Sequence, residues 1–323
     1  MTNEQITPAQ EYITKDAISY SALSRLADGP QAYINKSKPT GDFLSKGSAV
    51  DILLTEPDNF HDMFYIMTDS KPSTEGMLAY VMSMLENDDH ALAFIASGYK
   101  KAVSMDKWEE VGKPYYDAMK ASEGKTVLSF DDYQQVQGVV NQLKTNQYTK
   151  TYFADTASNV EYDEIMYQFI HYFDYEGTAC KVKLDVVTVD HQNKKIKGLD
   201  LKTTGKSVFS FRTSYRTYKY YLQGALFRLG LVDWGKEHYP DYEVEDFEFI
   251  VAEMASYNPP LIFRMSQEET TKAIVGGESS SGYYIKGVED LLADLAYYND
   301  TNAWEYPAEV HKNNGVVELD LFK

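Results

Sequence analysis

Lys181-Val-Lys-Leu-Asp185, a turn at His191-Gln-Asn193, and then Gly198-Leu-Asp200-Leu-Lys202-Thr-Thr204 form the stretch that decides the fold expected of this chain. Cys180 to Val189 alternates, with Val182, Leu184, Val186 and Val187 as its apolar members, and predicts a half-buried strand. Lys195 to Thr203 predicts a second strand, joined to the first by the polar turn. Pairing them puts Asp185 and Asp200 at corresponding ends of neighbouring strands. Lys202 lies two residues beyond Asp200, so strand alternation places both side chains on one face. Phosphodiester hydrolysis uses this mixture of groups. Carboxylate oxygens hold magnesium, a hard cation that keeps several waters. The metal polarises the phosphoryl oxygen and lowers the pKa of an attacking water. A lysine ammonium orients that water or stabilises charge developing on phosphate. A lone Asp-x-Lys triplet reads better as a surface ion pair on a strand; the acid on the adjacent strand gives the hydrolytic reading its weight.

Working outward, Glu164 to Phe173 is rich in isoleucine, tyrosine and phenylalanine and predicts a strand before the hairpin, with a turn at Gly177. A helix is expected from about Thr213 to Leu229, then strands over Phe247–Glu253 and Leu261–Met265, and a serine- and glycine-rich loop over 276–282. A last helix is expected over Tyr283–Tyr298. This order implies an α/β fold, with a central mixed β-sheet flanked by helices. Residues 1–16 look like a loose arm. Helices are expected from Ser19 or Ser21, over Lys46–Leu54, over 74–98 and 106–121, and over Phe130–Leu143. A mainly helical part, 1–155, therefore precedes a sheet-containing core, 156–323, the two forming one unit.

Charge is unevenly distributed. Lys181 to Lys219 holds ten basic residues against three acids, a net +7, which leaves −25 for the rest of a chain whose total is −18. Such an island suggests an anion held at one place and repelled elsewhere; a solvated lysine-rich hairpin is the plainer reading. On the expected 213–229 helix, Arg212, Arg216, Lys219 and Gln223 follow offsets of 4, 7 and 11 and would share one face. With Lys183 and Lys206, those three cations would track DNA phosphates without reading sequence. The single cysteine, Cys180, excludes an internal disulfide and a cysteine-based zinc site within one chain. No apolar run approaches the ~20 residues of a membrane span, and no secretory signal is visible, so a cytoplasmic location is expected. The 27 tyrosines are too many to be site residues, though one or two could stack on unpaired bases. His171, on an apolar strand, is expected to be packed rather than catalytic.

Beyond the hairpin, further pieces stand in a fixed order: Ile18-Ser-Tyr-Ser-Ala-Leu-Ser24, Gly29-Pro-Gln-Ala-Tyr33, Lys46-Gly-Ser-Ala-Val-Asp51 running on to Glu56-Pro-Asp-Asn-Phe60, Tyr221-Leu-Gln-Gly-Ala-Leu-Phe227, Val251-Ala-Glu253 with Asn258-Pro-Pro260, and Ala303-Trp-Glu-Tyr306. With the hairpin, they resemble the RecE-like (exodeoxyribonuclease VIII-type) branch of the PD-(D/E)XK nucleases, common in phages and prophages, over roughly residues 18–306. The resemblance implies a restriction-endonuclease-like core and a magnesium-dependent DNA exonuclease, with manganese as substitute. It would act on ends of linear double-stranded DNA, 5′ to 3′, in phage-type recombination within a host cytoplasm. A single-strand annealing partner and a homo-oligomeric ring are implied with it. Asp185 and Asp200 would ligate metal with the Leu201 backbone carbonyl, Lys202 would be the catalytic lysine, and Gln223 would reach the catalytic region from the following helix. Glu164 matches the upstream acid and would be a further ligand, with Glu161 as competing choice. Two positions depart from the pattern. Asp51 stands where the family usually has histidine, and would coordinate metal itself or mark a weakened enzyme; Phe227 replaces tyrosine. Two alternatives stay open: a single-strand nuclease or endonuclease of the related RecB-like groups, and an inactive DNA-binding protein.

Overall fold

Gly198 and Gly230 show how the central helix and the sheet are brought together. A Cβ on Gly198 would sit 2.4 Å from Leu231 Cδ1, and one on Gly230 would sit 2.7 Å from Val182 Cγ2. Only the bare backbone leaves room for a helix to settle this close to its sheet. The computed structural model describes residues 7–36, 42–100, 105–153, 162–255, 258–279 and 281–317. The chain divides into two compact units, one of residues 1–40, 142–253 and 257–323, the other of residues 41–141 and 254–256.

The first unit is built on a six-stranded sheet. Its strands are β1 (Glu164–Tyr175), β2 (Thr178–Asp190), β3 (Lys195–Thr204), β4 (Glu243–Val244), β5 (Glu248–Glu253) and β6 (Leu261–Arg264). The order is β1-β2-β3-β5-β6, with β4 pairing beside the start of β3. β1, β2 and β3 run antiparallel, β3 and β5 parallel, and β5 and β6 antiparallel, so the sheet is mixed. Every residue of β5 is buried, as befits a strand covered on both faces.

Helices flank this sheet: α1 (Pro8–Thr14), α2 (Tyr20–Ala27), α3 (Phe211–Thr217), α4 (Tyr220–His238) and α5 (Val288–Thr301), of which α4 packs directly on β1, β2 and β3 and α2, α3 and α5 pack against α4. α4 buries Leu222, Gln223, Ala225, Leu226, Phe227, Leu231 and Trp234, the pattern of a helix at the centre of a core rather than on its surface. Those side chains meet Val182, Leu184, Val187 and Ile196 from the hairpin and Phe247, Phe249 and Val251 from β5 and its approach.

Several elements differ from the sequence reading. The single helix expected over 213–229 is two, because Lys219 adopts a left-handed conformation, φ 57°, between α3 and α4. The helix expected over Tyr283–Tyr298 begins at Val288, because Tyr284–Ile285 pairs as a short strand with Gly277–Glu278 and Gly287 opens the helix; a short further helix, Ala308–Lys312, follows it. Of the arm expected over 1–16, residues 7–15 are tied down: Thr7 and Gln10 form a capping box for α1, and the buried Lys181 ammonium donates to the Tyr12 and Lys15 carbonyls at 2.6 Å each.

The second unit is mainly helical, with Asp51 on a helix spanning Asp42–Thr55. It also holds a parallel pair of four-residue strands, Phe64–Met67 and Thr126–Ser129, that the sequence reading lacked. An aromatic cluster of Tyr80, Trp108 and Tyr116 packs with Met77 and Met84 in its core.

Candidate active site

The β2–β3 ladder pairs Asp190 with Lys195 at the turn and ends at Val186 with Leu199. One step further the same register would set Asp185 against Asp200, but there the two strands part. β2 continues along β1 and β3 continues along β5. A fork of this kind strips backbone groups of their ladder partners, and buried ones must find others. Asp185 supplies one: its Oδ2 accepts the Leu201 N–H at 2.7 Å. A strand residue sends its N–H and its carbonyl to the same edge, so the Leu201 carbonyl belongs to the fork as well.

Asp200 is 3% exposed and held from two sides. Gln223 Nε2, from the first turn of α4, donates to its Oδ1 at 2.7 Å. Lys202 Nζ lies 2.5 Å from its Oδ2 as an ion pair. Lys202 also sits 4.6 Å from the centre of the Tyr220 ring, a cation–π contact. Burial pushes the Asp200 carboxyl up, and the Lys202 ammonium and the Gln223 amide pull against it. Burial alone would lower Lys202; Asp200, Tyr220 and Asp185 outweigh it, so its pKa is raised and the ammonium stays charged. Gln223 Oε1 is buried and receives no donor among the described residues. Unsatisfied buried acceptors are uncommon, and this one lies on the side chain that holds Asp200.

The structure thus brings Asp200, Lys202 and Gln223 into contact, with Asp185 bound to the intervening Leu201. Lys183 precedes Asp185 by two residues on β2 and shares its face. Glu164 is not brought to this place. It pairs with Val189 on β2, whereas register puts Gln168 opposite Asp185, four residues or roughly 13 Å along β1. Glu164 is engaged there by His191 Nε2 at 2.8 Å and by the Tyr239 hydroxyl at 2.9 Å. Glu161 lies outside the described residues. Asp51 is half-buried in the second unit, where its carbonyl accepts the Thr55 hydroxyl at 2.8 Å. Among the described residues no group of three or more His, Cys, Asp and Glu side chains is placed to hold a metal ion.

The basic island divides. Lys195 and Lys197 are paired with Glu245 at 2.8 and 3.3 Å, and Lys219 with Asp28 at 2.7 Å. Arg212 and Arg216 are exposed on α3, and Lys206 is exposed after β3; none of the three has an acid partner among the described residues. Because Lys219 breaks the helix, Gln223 turns inward and does not extend the Arg212–Arg216 face. Arg212 and Arg216, one turn apart, still share one.

Gln168 escaped the sequence reading. Its φ is 50°, and the β1–β2 ladder omits it between the Tyr167–Val186 and Phe169–Leu184 pairs. A left-handed non-glycine residue within a strand stores about 1–2 kcal/mol. Glutamine in a strand gives no sequence signal of this. The motif fragments around the site are also explained by packing. Tyr33 stacks on Trp304 at 5.6 Å, and Gln31 Nε2 donates to the Trp304 carbonyl at 3.0 Å. Asn258 donates to Glu253 through its side chain at 2.7 Å and its backbone at 3.1 Å. Phe227 is buried edge-on to Phe247, an apolar place that asks for no hydroxyl.

No protein-family model and no curated protein matches the chain. Among solved structures it is similar to a crystal structure named "Putative exonuclease" from Eubacterium rectale, at 12% identity and a TM-score of 0.47, over 98% of this chain and 96% of that one.

Proposed function

We propose that this protein is a metal-dependent DNA nuclease of the PD-(D/E)XK type that works from the ends of linear duplex DNA. The observation that carries the reading is the strand fork at which Asp185, Asp200 and Lys202 converge, with Gln223 fixing Asp200 from α4. Asp185, Asp200 and the Leu201 carbonyl would hold the metal. These are hard oxygen donors, and two carboxylates suit magnesium or manganese, which keep several waters. The unsatisfied Gln223 Oε1 fits such a hydrated ion, since it can accept from one of its waters. When bound, the ion supplies Lewis acidity to the phosphoryl oxygen and a water of lowered pKa.

The chain's own residues do the rest. Gln223 keeps the Asp200 carboxylate oriented in a buried setting where electrostatic interactions are strong. Lys202 is charged and adjacent to Asp200, and it gives up Asp200 Oδ2 to turn toward a phosphate oxygen. Arg212, Arg216 and Lys206 hold neighbouring phosphates.

A second reading has one observation in its favour: the Lys202–Asp200 ion pair neutralises the site internally and needs no metal, as in a DNA-binding protein without catalysis. Incubation of labelled linear duplex and of covalently closed circles with magnesium separates the readings. Degradation of the linear DNA alone supports an end-dependent nuclease. Nicking of circles favours an endonuclease, and binding without cleavage favours the second reading.

A further inference from the structure

Two large aromatic side chains stand exposed on either side of α3, the helix that leads into α4. Phe209 is 69% exposed and Tyr218 is 56% exposed. Single exposed aromatics are ordinary on a protein surface, so exposure alone means little. Here the backbone beside each is held by a hydrogen bond. Phe209 lies in the short turn Val208–Ser210, where the neighbouring Val208 is fully buried and its N–H donates to Glu253 Oε1 at 2.8 Å. The Tyr218 carbonyl accepts the Tyr20 hydroxyl at 2.5 Å. The Tyr218 ring is 5.7 Å from the Tyr220 ring, which in turn covers Lys202. Tyr218 is therefore one ring removed from the lysine of the site.

Between the two aromatics runs α3, about 10 Å long at 1.5 Å per residue. It presents Arg212 and Arg216 to solvent, with no acid partner among the described residues, in a chain of net charge −18. Cations left unneutralised on an acidic protein call for an outside anion, and exposed rings beside them call for a flat apolar face. A duplex shows phosphates but hides the faces of its bases. An unpaired strand shows both, and base–aromatic stacking tolerates any sequence.

We infer that Phe209 and Tyr218 form a stacking platform for unpaired nucleotides of a DNA strand, whose phosphates Arg212 and Arg216 hold. The inference deepens the nuclease reading: the strand reaching Lys202 is separated from its complement before cleavage. Its failure is distinguishable from a failure of that reading, because binding is measured in chelator, where no cleavage occurs.

The experiment is fluorescence anisotropy of the full chain with a labelled oligothymidylate and, separately, with a blunt hairpin duplex. Phe209→Ala and Tyr218→Ala each weaken single-strand binding about tenfold, the effect of one lost stack, and leave duplex binding unchanged. Tyr218→Phe retains binding. Phe209→Leu keeps apolar bulk but not the ring face, and binds as poorly as the alanine variant; it also serves if that variant fails to fold. The inference is overturned if the parent does not bind oligothymidylate, if Phe209→Leu and Tyr218→Ala bind it like the parent, or if duplex binding falls equally.

Discussion

Gln223 and Asp200 are joined by a 2.7 Å hydrogen bond that couples the first turn of the central helix to the forked strand. Removing it changes chemistry more than stability. Gln223→Ala is expected to lower DNA cleavage by about 10–100-fold, the usual effect of losing a residue that orients a metal ligand. Its melting temperature should fall by only a few degrees, since the variant loses one buried hydrogen bond and stays folded. Gln223→Glu places a second carboxylate beside Asp200, adds negative charge to the cation site, and should lower the metal concentration needed for half-maximal rate. A Gln223→Ala variant that cleaves at the parental rate would remove the hydrogen bond from the mechanism.

The close seat of α4 on the sheet gives a second prediction. Gly230→Val and Gly198→Val drive side-chain carbon into Val182 and Leu231. Each should cost about 1–3 kcal/mol of stability in urea unfolding, as overpacked cores do. Gly177→Ala is no control for packing, because Gly177 has φ 79° and suffers backbone strain instead.

Glu253 carries a pH dependence. It is buried at the end of β5, where burial raises its carboxyl and the hydrogen bonds from Asn258 and Val208 more than offset this, leaving its pKa below 4.5. A depressed acid contributes stability that is present above the unfolded value and is lost as pH falls through the folded one. Denaturant midpoints should therefore be level above about pH 5 and fall below 4.5. Glu253→Gln should flatten part of that fall, and Glu253→Ala should cost about 3 kcal/mol at neutral pH by leaving two backbone N–H groups unpaired. A parallel acid dependence in parent and Glu253→Gln would contradict this.

The divided basic island gives a fourth. Replacing Arg212 and Arg216 together by alanine should flatten the slope of log affinity for duplex DNA against log salt by about 2, near 0.9 per lost phosphate contact. Lys219→Ala, which breaks only the Asp28 pair, should leave that slope unchanged. The reverse result would place the phosphate track on the other side of the helix break.

The hairpin was legible because alternation over Cys180–Val189 and the turn at 191–193 are local signals, and register then follows. Lys202 and Asp200 fall on one strand face for the same reason. The break at Lys219 was not legible: lysine rarely adopts φ 57°, and nothing local in the sequence calls for it. Glu164 shows a different limit. Alternation says which face a residue takes, not how far along the strand its partner lies, and register sets it against Val189 rather than Asp185. The strands Phe64–Met67 and Thr126–Ser129 are too short for periodicity to reveal, and they pair across some 60 residues of chain. The charge count likewise summed cations that the fold sends to different places: Lys181 under the arm, Lys195 and Lys197 onto Glu245, and Arg212 and Arg216 to solvent.

The most direct test of the central claim is the initial rate of cleavage of end-labelled linear duplex DNA with magnesium or manganese, for the parent, Asp200→Ala and Lys202→Ala. Each variant is first checked for a cooperative thermal melt. The account predicts cleavage by the parent that chelator abolishes, and a loss of two or more orders of magnitude, roughly the effect of removing one electrostatic stabiliser, in both variants. A folded parent without metal-dependent cleavage, or a folded variant as fast as the parent, would contradict it.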